Sequence, residues 1–224
     1  MNKTVIEWCD MTWNPVVGCQ NNCPYCYARK MHNRFKKNVD SFNNPELYFS
    51  RLNKPQTVKK PKNVFVCSMA DLFGRWVPDE WIQEVFKACE AAPQHRYLFL
   101  TKNFHAYKDF GIILKKNYWY GQSHDGNNCV VPYDMKNQFI SLEPMQRGIN
   151  PKAIEGFQWV IIGAETGNRK GKIIPKREWI ENIVNACRDS KVPVFLKNNL
   201  ASVWEEPLIQ EFPWKENSNG KDSN

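Results

Sequence analysis

Short apolar runs alternate along the chain with stretches in which apolar residues recur at helical spacing. The runs predict strands, which we place at 13–17, 63–67, 97–101, 118–121, 139–142, 159–163 and 194–196. Between the second and third runs, Trp81, Val85 and Cys89 recur at every fourth position, after Pro78 and before Pro93. This pattern predicts an amphipathic helix with a proline at each boundary. The segment 176–191 repeats the pattern, and 103–116 predicts a weaker helix.

Strands that alternate with helices predict an α/β fold with a parallel sheet. Six or seven such units fall short of the eight that close a barrel. We therefore expect an incomplete parallel (βα)6-type barrel with a basic insertion after the first strand. The 224 residues suit a single domain, which we place at 1–204. Residues 205–224 form a tail that we expect to be partly disordered, since its last ten residues include no apolar one.

No apolar run approaches the roughly 20 residues that a membrane span needs. The first residues, MNKTVIEWCDMTW, also lack the apolar region of a secretory signal. Eight cysteines in 224 residues are too sparse for a disulfide-stapled fold. We therefore expect a cytoplasmic protein in a reducing compartment, with no membrane partner.

Three cysteines crowd into eight positions, in the stretch GCQNNCPYCYA. Cys19, Cys23 and Cys26 are spaced C-x3-C-x2-C. In a cytosolic protein such spacing indicates a site for a soft metal, either zinc or an iron–sulfur cluster. A structural zinc site needs four ligands, and only His32 or Cys9 is near enough in sequence to add one. Neither gives a zinc-finger spacing, so a three-thiolate iron–sulfur cluster with one open iron is the better fit.

The spacing, with Tyr25 just before the last cysteine, resembles the signature of the radical S-adenosylmethionine superfamily. Further stretches resemble a phage-associated family of radical-SAM-like proteins found in phages, prophages and bacteria. They are IEWCDMTWNPVVGC, VFVCSMADLFGRWVPDEWIQEVF, YLFLTKN, FISLEPM, WVIIGAETG and VPVFLKNNL, within residues 5–200. The resemblance implies a [4Fe-4S] cluster on the three cysteines and S-adenosylmethionine as the second cofactor. It also implies the (βα)6-type architecture and formation of a 5′-deoxyadenosyl radical.

In a parallel barrel the site lies at the carboxyl ends of the strands. Each predicted strand delivers polar residues there, although Asp71 and Thr101 also suit helix caps. Glu143 and Glu165 directly follow strongly apolar strands, and a buried carboxylate needs a partner such as Lys102, Lys197 or the cationic cofactor. We expect catalytic roles for Glu143, Glu165 and Lys102. The residues expected to bind the cofactor are Ser68, Asp71, Gln122, Glu143 and Lys197.

The segment 29–62 holds ten Lys or Arg residues and two acids, so it carries the whole net charge of +8. Aromatic rings interleave with these basic residues, a combination that suits nucleic acid. A second basic stretch spans 168–177. A solvated connector is the alternative interpretation of both. The residues expected to contact nucleic acid are Lys36, Lys37, Lys59, Lys60, Lys62, Arg169 and Lys170.

Three hypotheses follow. The first is a radical enzyme that modifies or repairs a DNA, RNA or nucleotide substrate and takes electrons from an acidic flavodoxin- or ferredoxin-like donor. The second is a zinc-stabilised nucleic-acid-binding module without catalysis. The third is a radical enzyme acting on a small metabolite or a protein. Iron with sulfide, rather than zinc, separates the first from the second, and salt-dependent binding to DNA or RNA separates the first from the third.

Overall fold

The structure, a computed structural model, describes residues 1–35, 39–111, 113–126 and 132–215. The chain divides into two compact units. Unit 1 comprises residues 1–123 and 166–172, and unit 2 comprises residues 124–165 and those from 173 onward. The single domain expected over 1–204 stays a prediction.

Unit 1 contains seven of the described strands and four of the described α-helices. The strands are β1 (Asn2–Lys3), β2 (Met11–Trp13), β3 (Val16–Val17), β4 (Glu46–Leu47), β5 (Asn63–Val66), β6 (Arg96–Thr101) and β7 (Tyr118–His124, whose last residue belongs to unit 2). The helices are α1 (Tyr27–Phe35), α2 (Lys54–Thr57), α3 (Asp79–Glu90) and α4 (Ala106–Asp109), with 3-10 turns at Val39–Asn43 and Phe49–Arg51.

Strands β2, β5, β6 and β7 of unit 1 lie side by side in parallel, and β1 adds an antiparallel edge. Strands β3 and β4 form a separate antiparallel pair. Between the parallel strands and α3, the core is rich in aromatic rings. Phe86 of α3 packs on Phe99 of β6 at 5.2 Å between ring centroids, and Phe73 meets Tyr107 edge-on at 4.8 Å. This ring packing holds the carboxyl ends of β5 and β6 in fixed positions.

Unit 2 has its own parallel strands and its own core. The elements are β8 (Gln138–Leu142), β9 (Val160–Ile162), β10 (Val194–Leu196), α5 (Arg177–Asp189) and α6 (Ala201–Trp204), with 3-10 turns at Pro151–Ile154 and Asn198–Leu200. Strand β9 pairs with both β8 and β10. The apolar face of α5, with Ile180 and Ile183 fully buried, packs into this core.

The chain is thus a mixed α/β protein with mostly parallel strands, as the sequence predicted. Neither set of described strands closes on itself, so the incomplete barrel stays a prediction. Two predicted elements were wrong. The strand at 13–17 is split, because Pro15 lacks the N–H that a ladder needs, and only Met11–Trp13 joins β5. The helix at 103–116 shrinks to Ala106–Asp109, because Gly111 adopts a left-handed φ of 68° that ends it.

Residues 205–215 of the expected tail are described and pack against other residues of unit 2. Gln210 bridges to Phe195, and Trp159 donates a hydrogen bond of 2.9 Å to the carbonyl of Glu211. Residues 216–224 lie outside the described residues, as do Lys36 and Lys37. None of the described helices has both the length and the apolar character of a membrane span.

Candidate metal and cofactor site

The three clustered cysteines occupy a loop, residues 18–26, that leads from β3 into α1. Cys26 immediately precedes the helix, and its sulfur accepts a hydrogen bond of 3.3 Å from the backbone N–H of Arg29. This is the position of an N-cap, where the helix dipole favours negative charge. The N–H of Cys26 also bonds the carbonyl of Cys23 at 3.1 Å, which closes a turn between those two ligand candidates. The local backbone therefore fixes the position of the Cys26 sulfur at the start of α1.

Arg29 ties the two ends of this cysteine loop together. Its guanidinium donates 3.0 Å to the carbonyl of Cys19 and 2.7 Å to the side chain of Asn43, and it lies 5.0 Å from the ring centre of Phe42. The N–H of Cys19 bonds the carbonyl of Phe42 at 2.8 Å. One residue thereby contacts both cysteines, Cys19 through its guanidinium and Cys26 through its backbone N–H, although six residues separate the two in sequence.

The turn after β5, residues 67–72, accepts hydrogen bonds from both ends of the cysteine loop. The N–H of Gly18 donates 3.0 Å to the carbonyl of Met69, and the hydroxyl of Tyr27 donates 2.6 Å to the carbonyl of Ser68. Gly18 has a φ of 112°, and a Cβ there would stand 2.7 Å from the Cα of Pro45, so glycine is required. The loop therefore lies at the carboxyl edge of β2 and β5, where a site in parallel strands is expected.

The three thiols are half-buried and form no disulfide. Burial, opposed by a backbone hydrogen bond from Asn21 and aided by the nearby charges of Asp71, Cys26 and Cys23, raises the pKa of Cys19 to about 11. A metal must therefore displace a proton from this thiol, as thiolate ligation requires. Among the described residues, no three Cys, His, Asp or Glu side chains stand in a ready-made ligand set. The donor chemistry fits an iron–sulfur cluster, and the described loop does not hold a preformed ligand geometry.

The two other ligand candidates have different surroundings. His32 pairs through Nε2 with the hydroxyl of Ser41 at 2.6 Å and packs 5.2 Å from the ring of Phe42. Cys9 directs its thiol towards the carbonyl of Ile6 at 3.7 Å. A zinc site with either residue as fourth ligand would have to give up one of these contacts.

Several residues predicted from the sequence surround the cysteine loop in unit 1. The Ser68 hydroxyl bonds Asn14 at 3.1 Å, and Asp71 is buried with its carboxylate towards Asn21. Lys102 follows β6, and its ammonium lies 5.6 Å from the ring centre of Tyr25, within the loop. Gln122 is buried on β7, in register with Thr101. These four residues and the cysteines share the carboxyl edge of the parallel strands.

Unit 2 brings together two further predicted residues, Glu143 and Lys197. Their side chains form an ion pair and are only 22% and 12% exposed. Gly163 makes room for the pair, because a Cβ there would stand 2.8 Å from Lys197 Cδ and 3.0 Å from Glu143 Cδ. The side chain of Asn199 bonds both the N–H and the carbonyl of Ala164, at 3.0 and 2.7 Å, and so fixes the chain beside Gly163. Glu165 is also buried.

Three of the residues expected to contact nucleic acid lie away from the cysteine loop. Lys62 directly precedes β5, and its carbonyl accepts the N–H of Arg96 at 2.9 Å, so Lys59, Lys60 and Lys62 lie at or near the amino edge of the strands. The cysteine loop lies at the other end of β5, a distance of about 13 Å along four strand residues. Arg169 and Lys170 belong to the short segment of unit 1 between two parts of unit 2.

Sequence reasoning missed Asn21, Arg29 and Gly163 as parts of these sites. Asn21 and Arg29 are polar residues in or next to a loop, and nothing in their local pattern distinguishes them from solvated ones. The contacts of Gly163 depend on residues 20 and 34 positions away in sequence. The roles expected for Glu143, Glu165, Lys102, Ser68, Gln122 and Lys197 stay predictions.

Comparison with known proteins supplies a family and a fold. A family model described as "Protein of unknown function (DUF5131)" matches residues 3–212. No curated protein matches the chain. A structure of spore photoproduct lyase complexed with dinucleoside spore photoproduct is similar, with 11% identity, a TM-score of 0.50, and coverage of 81% of this chain and 74% of that one. A cysteine-to-serine variant of spore photoproduct lyase matches at 11% identity and a TM-score of 0.52, over 88% and 79% of the two chains. At this identity the likeness establishes a similar fold.

Proposed function

The chain belongs to the family described as "Protein of unknown function (DUF5131)", and we propose that it is a radical S-adenosylmethionine enzyme that modifies or repairs a nucleic acid or nucleotide. The observation that carries the proposal is the loop of three half-buried thiols at the carboxyl edge of parallel strands. The fold similarity to spore photoproduct lyase supports the proposal of an enzyme that acts on a nucleic acid or nucleotide.

Cys19, Cys23 and Cys26 would hold a [4Fe-4S] cluster, and S-adenosylmethionine would be the second cofactor. When both are bound, the cluster and S-adenosylmethionine would supply reductive cleavage of the sulfonium, which gives methionine and a 5′-deoxyadenosyl radical that abstracts hydrogen from the substrate. The chain's own part is positional. Arg29 fixes Cys19 and Cys26, and the turn after β5 fixes both ends of the loop.

The preference for a nucleic acid or nucleotide rests on two observations. The similar structure of spore photoproduct lyase is a complex with dinucleoside spore photoproduct. In this chain, helix α1 begins directly after Cys26 and carries Arg29, Lys30 and Arg34 with no acidic residue. The same basic helix supports docking of an acidic flavodoxin- or ferredoxin-like electron donor, which the chemistry also needs.

The decisive experiment measures metal and sulfide in protein purified and reconstituted without oxygen. We expect about four iron and four sulfide per chain, as a cubane cluster requires. Cys19→Ala, Cys23→Ala and Cys26→Ala should each abolish the cluster. With a strong reductant, the loaded protein should release 5′-deoxyadenosine from S-adenosylmethionine, and faster with its nucleic-acid or nucleotide substrate than without.

Two matched controls separate this outcome from the zinc alternative. Cys9→Ala removes another half-buried thiol, and Cys187→Ala removes a fully buried one. Both variants should keep iron and sulfide in full. The opposite outcome is one zinc per chain and no sulfide in the unaltered protein, with the zinc lost in Cys9→Ala or in a His32 variant. That result would favour the hypothesis of a zinc-stabilised binding module over that of a radical enzyme.

A further inference from the structure

Asp71 is a buried carboxylate at the base of the cysteine loop, with only 6% of its surface exposed. Its Oδ1 accepts hydrogen bonds from the hydroxyl of Thr101 at 2.6 Å and the N–H of Phe73 at 3.3 Å. Its Oδ2 accepts from the side-chain amide of Asn21 at 3.1 Å and the N–H of Lys102 at 3.0 Å. All four donors are neutral. Burial raises the pKa of Asp71, while these four hydrogen bonds oppose the rise by favouring the ionised form.

An ionised carboxylate has about four lone-pair sites, two on each oxygen. The four donors fill them in pairs, so no acceptor site is left for a cofactor atom. The expectation that Asp71 binds the cofactor therefore gives way to a different role. Apart from Phe73, two residues further along the chain, its donors come from the cysteine loop and the end of β6. The carboxylate therefore connects both segments to the turn after β5, which contains Asp71.

Asn21 connects this carboxylate to the thiols. A backbone hydrogen bond from Asn21 reaches Cys19, and the carbonyl of Asn21 lies 4.0 Å from the sulfur of Cys23. Its side chain points the other way, to Asp71. The backbone of one residue therefore contacts two of the three candidate ligands, and its side chain is held by a buried anchor on the strands.

We propose that Asp71 is a positioning residue, which through Asn21 holds the loop so that Cys19 and Cys23 are presented to the iron–sulfur cluster. The inference rests on the proposed function for its metal. The anchoring itself rests on the four hydrogen bonds and can be measured in the cluster-free protein. Partners of metal ligands typically change metal affinity 10- to 100-fold when they are altered.

The test is a reciprocal exchange of donor and acceptor. Asn21→Asp replaces the amide by a second carboxylate facing Asp71, which removes the hydrogen bond and adds repulsion. Asp71→Asn removes an acceptor oxygen. The double variant Asn21→Asp/Asp71→Asn pairs the new carboxylate with the new amide, so the hydrogen bond forms again in the opposite direction. Asn21 is exposed, so its substitution tests the proposal even if Asp71→Asn unfolds the protein.

Two readouts are compared. In the cluster-free protein, amide hydrogen exchange over residues 18–27 should accelerate in each single variant and slow again in the double variant, while α3 stays unchanged. In the reconstituted protein, iron loss to a chelator should be about 10- to 100-fold faster in each single variant and partly restored in the double variant. Gln20→Ala is the matched control, since this neighbouring exposed amide bonds the carbonyl of Asn43 and not Asp71. It should match the unaltered protein in both readouts.

Single variants that match the unaltered protein in exchange and in iron loss would overturn the proposal. The proposal would also be overturned if the double variant exchanged amides and lost iron as fast as the worse single variant. A merely structural loss would not be reversed by the second substitution, whereas a restored hydrogen bond would reverse it. If the unaltered protein binds no iron, the proposed function fails, and with it the presentation of ligands to a cluster. The exchange measurements would still decide whether Asp71 anchors the loop.

Discussion

Gly163 is the residue on which the Glu143–Lys197 ion pair depends. The two side chains occupy the space where a Cβ would stand. Neither the apolar strand before Glu143 nor the one before Lys197 predicts this, since the requirement arises only where β8, β9 and β10 pair. Sequence patterns correctly marked both charged residues as strand-end groups, and they contain no signal for the glycine between them.

We expect Gly163→Ala to have the same effect as Glu143→Gln and Lys197→Met. The added methyl displaces Lys197, so all three changes break the pair. Each should lower the free energy of unfolding by about 1–3 kcal/mol, between the values for surface and for buried pairs. Each should also weaken S-adenosylmethionine binding, measured by equilibrium dialysis, if the pair serves the cofactor.

The matched control is Glu155→Gln, which neutralises an exposed carboxylate of the same unit. It should leave both quantities unchanged. If the three pair-breaking variants lose stability yet bind the cofactor as well as the unaltered chain, the pair is structural and the expected roles of Glu143 and Lys197 are wrong.

At the scale of elements, sequence patterns predicted the helices that depend on apolar periodicity. They missed the path of the basic insertion, which depends on contacts between residues distant in sequence. The helix α3 and the helix α5 follow from apolar spacing alone, and both were predicted close to their observed bounds. The basic insertion was predicted as one segment after the first strand. Its described residues run through α1, β4 and α2 from the carboxyl edge of the strands to their amino edge. Pairing of β4 with β3 decides that path, and no local pattern encodes it.

This path splits the basic residues into two groups that can be tested separately. Lys30 and Arg34 lie on α1 beside Cys26, whereas Lys59 and Lys60 lie near the amino edge, and all four are exposed. We expect Lys30→Glu/Arg34→Glu to weaken binding to single-stranded DNA or RNA. The same variant should flatten the salt dependence of binding by about one unit for each phosphate that it no longer neutralises. Fluorescence anisotropy at several salt concentrations measures both.

Lys59→Glu/Lys60→Glu changes the net charge equally and serves as the control. It should leave affinity and salt dependence nearly unchanged. Equal losses of affinity in the two variants would mean that overall charge drives binding. A loss confined to Lys59→Glu/Lys60→Glu would locate the contact at the amino edge, and no loss in either would favour a solvated connector.

At the scale of the whole molecule, the chain passes between the two units three times, after residues 123, 165 and 172. Neither unit is a continuous stretch of sequence, so neither can be released by one cut. The alternation of strands and helices predicted the fold class, but it contains no information about this interleaving. A family match over residues 3–212 spans both units.

Because the units are interleaved in sequence, we expect them to unfold in one transition. Phe99→Ala removes a ring from the core of unit 1, and Ile183→Ala removes a buried side chain from the core of unit 2. Each should lower the same denaturation midpoint, at a cost of about 2–5 kcal/mol. Circular dichroism and tryptophan fluorescence should give coincident curves. Two separated transitions, each shifted by only one of the variants, would contradict the single domain predicted from the sequence.

The filled carboxylate of Asp71 also has an evolutionary consequence. A group whose four acceptor sites are all used by neighbours cannot change alone, because a substitution leaves several buried donors without a partner. Positions 21 and 71, separated by fifty residues, should therefore covary among related sequences. We expect sequences with an amide at position 21 to have a carboxylate at position 71. Related sequences that lack the amide should also differ in the sequence or length of the cysteine loop.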